Sequence, residues 1–371
     1  MSIRISTFNV ENMFKRPSIM NLPTWDEGKA ILEDYQKLSD LIQKQNYTPK
    51  IKTEMLKIMK RQKMIHPTKK TNLILNKVKG KFLSKPPGKS PYISADGRND
   101  WIGWVALKTE AIREKAIENT ARVIKEVNAS IVGLVEVEDR ILLGEFNDKI
   151  ISNVGGMPYN HYMLIDGNDS RGIDVGLLSD YEIESMVSHV DDEDSTGQIF
   201  SRDCPEYRIK ISSTKTLLVM INHFKSKGYG SQASSNKKRK RQAQRVAEIY
   251  KKRISEGFEY IAIMGDFNDT PDNDPLSPLL GTSSKLVDIM ELPQFYDPVG
   301  RPGTYASGTK SGKIDYILLS PKLVPLVENA GIERRGIWAG VNGDIFPHFD
   351  EIKHPRDAAS DHASLWVDLN L

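Results

Sequence analysis

The segment IAIMGDFNDT, residues 261 to 270, constrains this chain more than any other. Four apolar positions, Ile261 to Met264, run without a polar break and read as a buried strand. A buried strand needs packed layers over its faces, so the chain must build covered sheets. The run then passes through one glycine into Asp266, Asn268 and Asp269. This strand therefore delivers carboxylates and an amide to its own carboxyl end.

Other segments repeat the arrangement. IRISTF (3–8) alternates with period two, and SIVGLVEVED reads as a strand that follows the amphipathic helix EAIREKAIENTARVIKEVNA, whose stripe is Ile112, Ala116, Ile124 and Val127. Further strands are expected at 160–165, 173–179, 216–222, 315–320 and 364–369, and a basic helix at about 237–255. TFNVEN ends the first strand with Asn9 and Glu11, GLVEVED supplies Glu136, and VMINHFKSK leaves Asn222 and His223 where its apolar run stops. GKIDYILLS opens a strand with Asp315, and SDHASLWVDL opens the last with Asp361 and His362. Strands that end in these groups share one rim with antiparallel strands that begin with them. Taken singly, an Asp or Asn beside a strand is usually a turn or cap residue; the joint occurrence carries the argument. Several carboxylates at one rim repel unless a divalent cation compensates them. Oxygen donors with few nitrogens and no thiolate favour Mg²⁺ or Mn²⁺ over Zn²⁺. A metal there can neutralise a phosphate oxygen or lower the pKa of water, and His223 or His362 can move protons near neutral pH. Phosphate-ester hydrolysis is the reaction that suits this set.

The 371 residues carry a net charge of +3 that hides an asymmetry. From Lys44 to Lys89 there are 14 Lys or Arg against the single acid Glu54, so the rest of the chain is net acidic. This block lies in a segment, about 15–100, that reads as a basic, mainly helical insertion. Ile31, Leu32, Tyr35, Leu38 and Ile42 mark one helix, Met55, Ile58 and Met59 a second, and KPPGKSP breaks regular structure. A second basic run is Lys237, Lys238, Arg239, Lys240 and Arg241. Clustered cations gain affinity for polyanions by releasing counterions, so both runs are read as nucleic-acid contacts, DNA first. A solvated, mobile face is the plainer reading of a like-charge block. No 18-residue apolar run is present, so no membrane span is expected. With Cys204 the one cysteine and no secretory h-region at the start, a cytoplasmic location is expected.

In order, FNVEN, VEVE, NHFKSK, GDFND, IDYILLS and SDH resemble the endonuclease/exonuclease/phosphatase superfamily, in its deoxyribonuclease I-like and exonuclease III-like forms. The resemblance runs from Asn9 to His362 and leaves out the basic insertion. It implies an α+β fold: a four-layer α/β/β/α sandwich of two mixed sheets flanked by helices, in a single catalytic domain spanning 1–371. It also implies roles. Asn9, Glu11, Glu136 and Asp361 would hold the metal. Asp266 would activate water, and Asn268 would bind phosphate. His362, held by Asp315, would contact the scissile group. His223 would be hydrogen-bonded by Asp174, with Arg171 and Asn222 against phosphate. Glu138 departs from the pattern, being acidic where many relatives carry a basic phosphate contact. The expected activity is metal-dependent phosphodiester hydrolysis in DNA. The alternatives are a phosphatase or phosphodiesterase of small molecules or lipid head groups, and a non-catalytic nucleic-acid-binding relative. No exposed aromatic hairpin stands out in the sequence.

Overall fold

A computed structural model describes residues 2–17, 25–68, 71–169, 171–227 and 231–371, without the side chains of 15–17, 25–27 and 109–111. Parts of the basic insertion, 18–24 and 69–70, lie outside the described residues. The chain forms two compact units. One comprises the chain up to Phe14 with Ile112–Lys227 and Ser231–Leu371; the other is Lys15–Ala111.

The first unit holds two large mixed sheets. The seven-stranded sheet runs Phe295–Tyr296, Val327–Glu333, Ser364–Asn370, Ser2–Asn9, Ile131–Val137, Asp174–Ser179, His161–Leu164. The six-stranded sheet runs Ile183–Val187, Glu206–Lys210, Thr216–His223, Ile261–Asp266, Asp315–Leu319, Val287–Asp288. Between them lies an apolar core that includes Ile3, Ile5, Val135, Leu177, Val219, Ile221, Met264 and Ile317. Gly133 belongs to this contact: a Cβ there would sit 2.8 Å from Met264 Sδ, so glycine lets the sheets close together. The outer face of the first sheet is covered by Glu114–Val127, and that of the second by Gln232–Ser255. This gives the expected helix, sheet, sheet, helix order.

The helices follow local rules. Glu114–Val127 buries Ala116, Ile117, Thr120, Ala121, Ile124 and Val127, and ends where Asn128 turns left-handed (φ 51°) and donates its N–H to Ile124 O. Ile112, placed on this stripe from the sequence, precedes the helix and bonds Phe14 O through its N–H. Gln232–Ser255 starts earlier than its apolar spacing suggests, because Ser231 caps it by accepting from Ser234 N at 3.2 Å.

The second unit has its own core, formed by Leu38, Tyr47, Met55, Ile58, Met59, Phe82, Trp101 and Val105 among others. Helices Trp25–Ile42 and Pro49–Arg61 occupy the positions expected of them. The helical reading omitted an antiparallel pair, Leu73–Gly80 with Trp101–Leu107, and two two-stranded ribbons. Among the described residues no helix is long and apolar enough to cross a membrane.

Candidate active site

The centre of the site is a row written into strand register. Thr216–His223 runs parallel to Ile261–Asp266, which runs antiparallel to Asp315–Leu319, so that His223 pairs with Asp266 and Asp266 with Asp315. Directly opposite residues share a face, here the one toward the other sheet. Each row residue is followed in sequence by an aromatic that must point the other way. Phe224, Phe267 and Tyr316 accordingly stack on the far side, with ring centroids 4.8 and 4.9 Å apart. The stack fixes the register that aligns the row. Gly265 (φ 129°) is needed beneath it, since a Cβ there would meet Asn222 O at 2.0 Å.

The first sheet completes the site. Asn9 Nδ2 donates to Asp266 Oδ2 at 3.1 Å, and Asn9 Oδ1 accepts from Glu11 N at 3.0 Å. Ser360 Oγ donates to Asn9 O (2.7 Å) and accepts from His362 N (3.0 Å), which explains the serine of SDH. His362 Nδ1 lies 2.9 Å from Asp315 Oδ2, which also accepts from Thr304 Oγ1 at 2.6 Å. Asp361 Oδ1 is 3.7 Å from His362 Nε2. Glu136 Oε1 and Asp266 Oδ2 are 3.7 and 3.8 Å from His223 Nε2. Glu11, Asn12, Glu136 and Asn268 all adopt left-handed φ (52°, 63°, 67° and 53°). That conformation is disfavoured for non-glycine residues and clusters at functional sites.

The electrostatics divide the site in two. On the acidic side, burial and then the neighbouring Asp315 push Asp266 up to about 7, and burial raises Glu136. Oxygen or nitrogen atoms of Asp266, Asp315 and His362 converge within 4.8 Å. Burial opposes a charge on His362, but Asp315 overcomes it and holds the imidazole well above its usual range. On the basic side, burial and then Arg202 and Arg171 hold His223 well below its usual range. Burial and the same two arginines bring Lys225 down to about 7. Asp169 binds both arginines, at 2.6 Å to Arg171 Nη2 and 3.2 Å to Arg202 Nε. Burial works against its charge, but the two guanidiniums hold its carboxyl well below the usual range.

Several expectations need correction. Asn222 is one residue out of register with the row, so its side chain falls on the outer face, buried beside Cys204, and cannot meet a phosphate there. The hydrogen bond expected between Asp174 and His223 is not formed. Asp174 Oδ1 accepts from Gly167 N at 2.8 Å, at a bulge in its strand, and His223 Nδ1 has no partner among the described residues. Asn268 spends its Nδ2 on Asp266 Oδ2 (3.0 Å) and Phe224 O (3.2 Å), so it props Asp266. Arg239 is fully buried on Asp269 (2.9 Å) and cannot reach a nucleic acid. Lys238, Lys240 and Arg241 are tied to Gln198 O, Asp274 and Asp194, while Lys237 is exposed.

Reading by strand ends missed Arg202, Asp169 and Tyr305, which lie outside apolar runs. Tyr305 lies against His362, with ring centroids 4.9 Å apart and planes tilted by 58°. Lys225 was within reach of the sequence, two residues after His223 and therefore on the row's side of the strand. Glu138 is explained by the loop after Asn9: its carboxylate accepts from Met13 N (3.1 Å) and Phe14 N (2.7 Å). We expect Glu138→Ala to lower stability by about 1–3 kcal/mol, read as an earlier urea midpoint, and to lower kcat by loosening Glu11 and Asn12.

The sequence profile of the Endonuclease/Exonuclease/phosphatase family matches residues 98–330. The chain belongs to that family. The matched span of this family member holds Glu136, His223, Asp266 and Asp315; Asn9 and His362 join it only in three dimensions. A solved structure of the family shares its fold. An endonuclease/exonuclease/phosphatase family protein from Bacteroides thetaiotaomicron is 17% identical, with 69% of this chain and 86% of that chain covered at a TM-score of 0.50. A mannosyl-6-phosphatase of the same organism is 18% identical over 69% and 92% of the two chains (TM-score 0.49). The human nocturnin catalytic domain is 17% identical over 70% and 87% (TM-score 0.48). No curated protein matches the sequence.

Proposed function

We propose that this family member is a divalent-metal-dependent phosphodiesterase that cleaves nucleic acid, DNA in the first instance. The observation that carries this reading is the division of one buried rim into a carboxylate side and a guanidinium side around His223 and Asp266. A phosphodiester presents the complementary demands: anionic oxygens to neutralise, a water to deprotonate and a leaving oxygen to stabilise.

The donor set fits a hard divalent ion. Carboxylates buried close enough to raise one another's pKa gain from a cation, and the contributing atoms are oxygens. Glu136 and Asp361, with Asn9 and Glu11, would hold it. A bound Mg²⁺ or Mn²⁺ would supply charge neutralisation at a phosphate oxygen. Asp266, propped by Asn9 and Asn268, takes the proton of the attacking water as that water's oxygen bonds to phosphorus. The P–O bond to the leaving alcohol breaks, giving a phosphomonoester and an alcohol. His362, oriented through Nδ1 by Asp315, gives its Nε2 proton to that leaving oxygen. Arg171 holds a non-bridging oxygen, and the buried Arg202 behind it adds positive charge.

Two measurements test this. Supercoiled and linear DNA should be cleaved by wild type with Mg²⁺ or Mn²⁺ and left intact in EDTA. DNA intact in every metal lane, with RNA, phosphoinositide or sphingomyelin hydrolysed instead, would replace the proposal. Independently of activity, Mg²⁺ at a hundred times its Kd should stabilise the fold by about 2.7 kcal/mol. Differential scanning calorimetry should show that gain lost in Glu136→Gln.

A further inference from the structure

The Lys15–Ala111 unit carries an exposed face that the active site does not use. Its Leu73–Gly80 and Trp101–Leu107 strands bury Leu73, Trp101, Val105 and Leu107 on one side. The other side sets Ile74 opposite Ala106 and Asn76 opposite Trp104. Past an irregularity at Val78, Lys79 stands opposite Ile102. Trp104 is 49% exposed, Ile102 53%, Val78 66% and Ile74 43%. An indole half in water at the middle of a strand pair is unusual for a residue that could have been buried.

The surroundings identify the occupant. Lys77, Lys79, Lys81, Lys85 and Lys89 are all exposed, and no acid occurs between Glu54 and Asp96. The partner is therefore anionic and offers flat apolar surface to a single central ring. A bilayer would need a continuous apolar strip, yet Asn76 and Lys79 interrupt this one. Duplex nucleic acid hides its base faces. Single strands expose them on a polyanionic backbone, and stack them on protein aromatics beside lysines.

We propose that this face binds single-stranded nucleic acid, with one base stacked on Trp104, Asn76 beside it, and Lys79 and Lys81 on the phosphates. The proposal deepens the nuclease reading by naming its substrate form, but it does not depend on cleavage.

The test is fluorescence anisotropy of the full chain with labelled single-stranded DNA, the matching duplex, and phosphatidylserine vesicles as competitor, all in EDTA so that nothing is cut. Wild type should prefer the single strand. Trp104→Ala should lose about 5- to 100-fold in single-strand affinity with its salt dependence unchanged, while Trp104→Phe keeps most of it. Lys79→Gln/Lys81→Gln should reduce the slope of log K against log salt by about 1.4. Melting curves check that each variant is folded. Equal single-strand binding by folded Trp104→Ala overturns the proposal, as does wild-type binding to vesicles with none to single strands. Because binding is read without metal, a failed cleavage assay leaves this result standing, and the reverse holds as well.

Discussion

Asp266→Asn is expected to lower kcat for phosphodiester hydrolysis about 10²- to 10⁴-fold without lowering the melting temperature. The asparagine keeps the shape of the side chain, and its oxygen can still accept from Asn9 Nδ2 and Asn268 Nδ2 while its NH2 displaces the one bond from Asn268 N. It removes the one group positioned at the centre of the row to take a proton from water. It also removes a buried negative charge that its neighbours oppose, as shown by the carboxyl being pushed up to about 7, first by burial and then by Asp315. Loss of rate and loss of stability are thus expected to separate at this position. Single-turnover cleavage and calorimetry on the same preparation would check it. A variant with wild-type rates would remove Asp266 from the chemistry, and one that melts early would make its role structural.

Asp269→Ala should do the opposite, costing about 3–5 kcal/mol of stability and acting on activity only through the fold. Asp269 and Arg239 are both fully buried, 2.9 Å apart, and removing the carboxylate leaves a guanidinium without its counter-charge inside the protein. Burial opposes the Asp269 charge, but Asn273, Arg239 and Lys227 together hold its pKa below the ordinary value. A depressed folded-state pKa means that the stabilisation is present above the unfolded carboxylate pKa, about 4, and is lost as pH falls through the folded value. Wild type should therefore lose stability in acid more steeply than Asp269→Asn, which has no such group to titrate. Urea melts between neutral and acid pH would show it; parallel curves would refute the assignment.

The interior was legible in the sequence and the edges were not. Strands buried on both faces, such as Ile261–Asp266 and Asp315–Leu319, announce themselves as apolar runs because nothing polar can be tolerated in them. Edge strand Ile183–Val187 is exposed after its first residue and shows no clean period, while Glu206–Lys210 alternates over only four residues, Tyr207 and Ile209 in and Arg208 and Lys210 out, after a buried Glu206 that reads as polar. In the insertion, WIGWVAL alternates as a strand should, but its exposed Ile102 and Trp104 break the rule that apolar residues go inside. The site was legible where strands end in polar groups, giving Asn9, Glu136, His223, Asp266, Asp315 and His362. It was hidden where side chains arrive from loops, as Arg202 does. It misled where one step along a strand changes the face, as at Asn222, or where a basic residue turns inward, as Arg239 does. Composition counts charges and cannot say which of them face water.

The strand Ser2–Asn9 lies between Ile131–Val137 and Ser364–Asn370, and Ser360 ties Asn9 to His362. During synthesis, then, Asn9 is made early but has to wait for residues 360–370 before its surroundings exist. Until then a growing chain carries Asp266 and His223 with their rim still lacking His362. A chain that stops short of Ser360 lacks both His362 and the tie to Asn9, so it is expected to leave the rim incomplete.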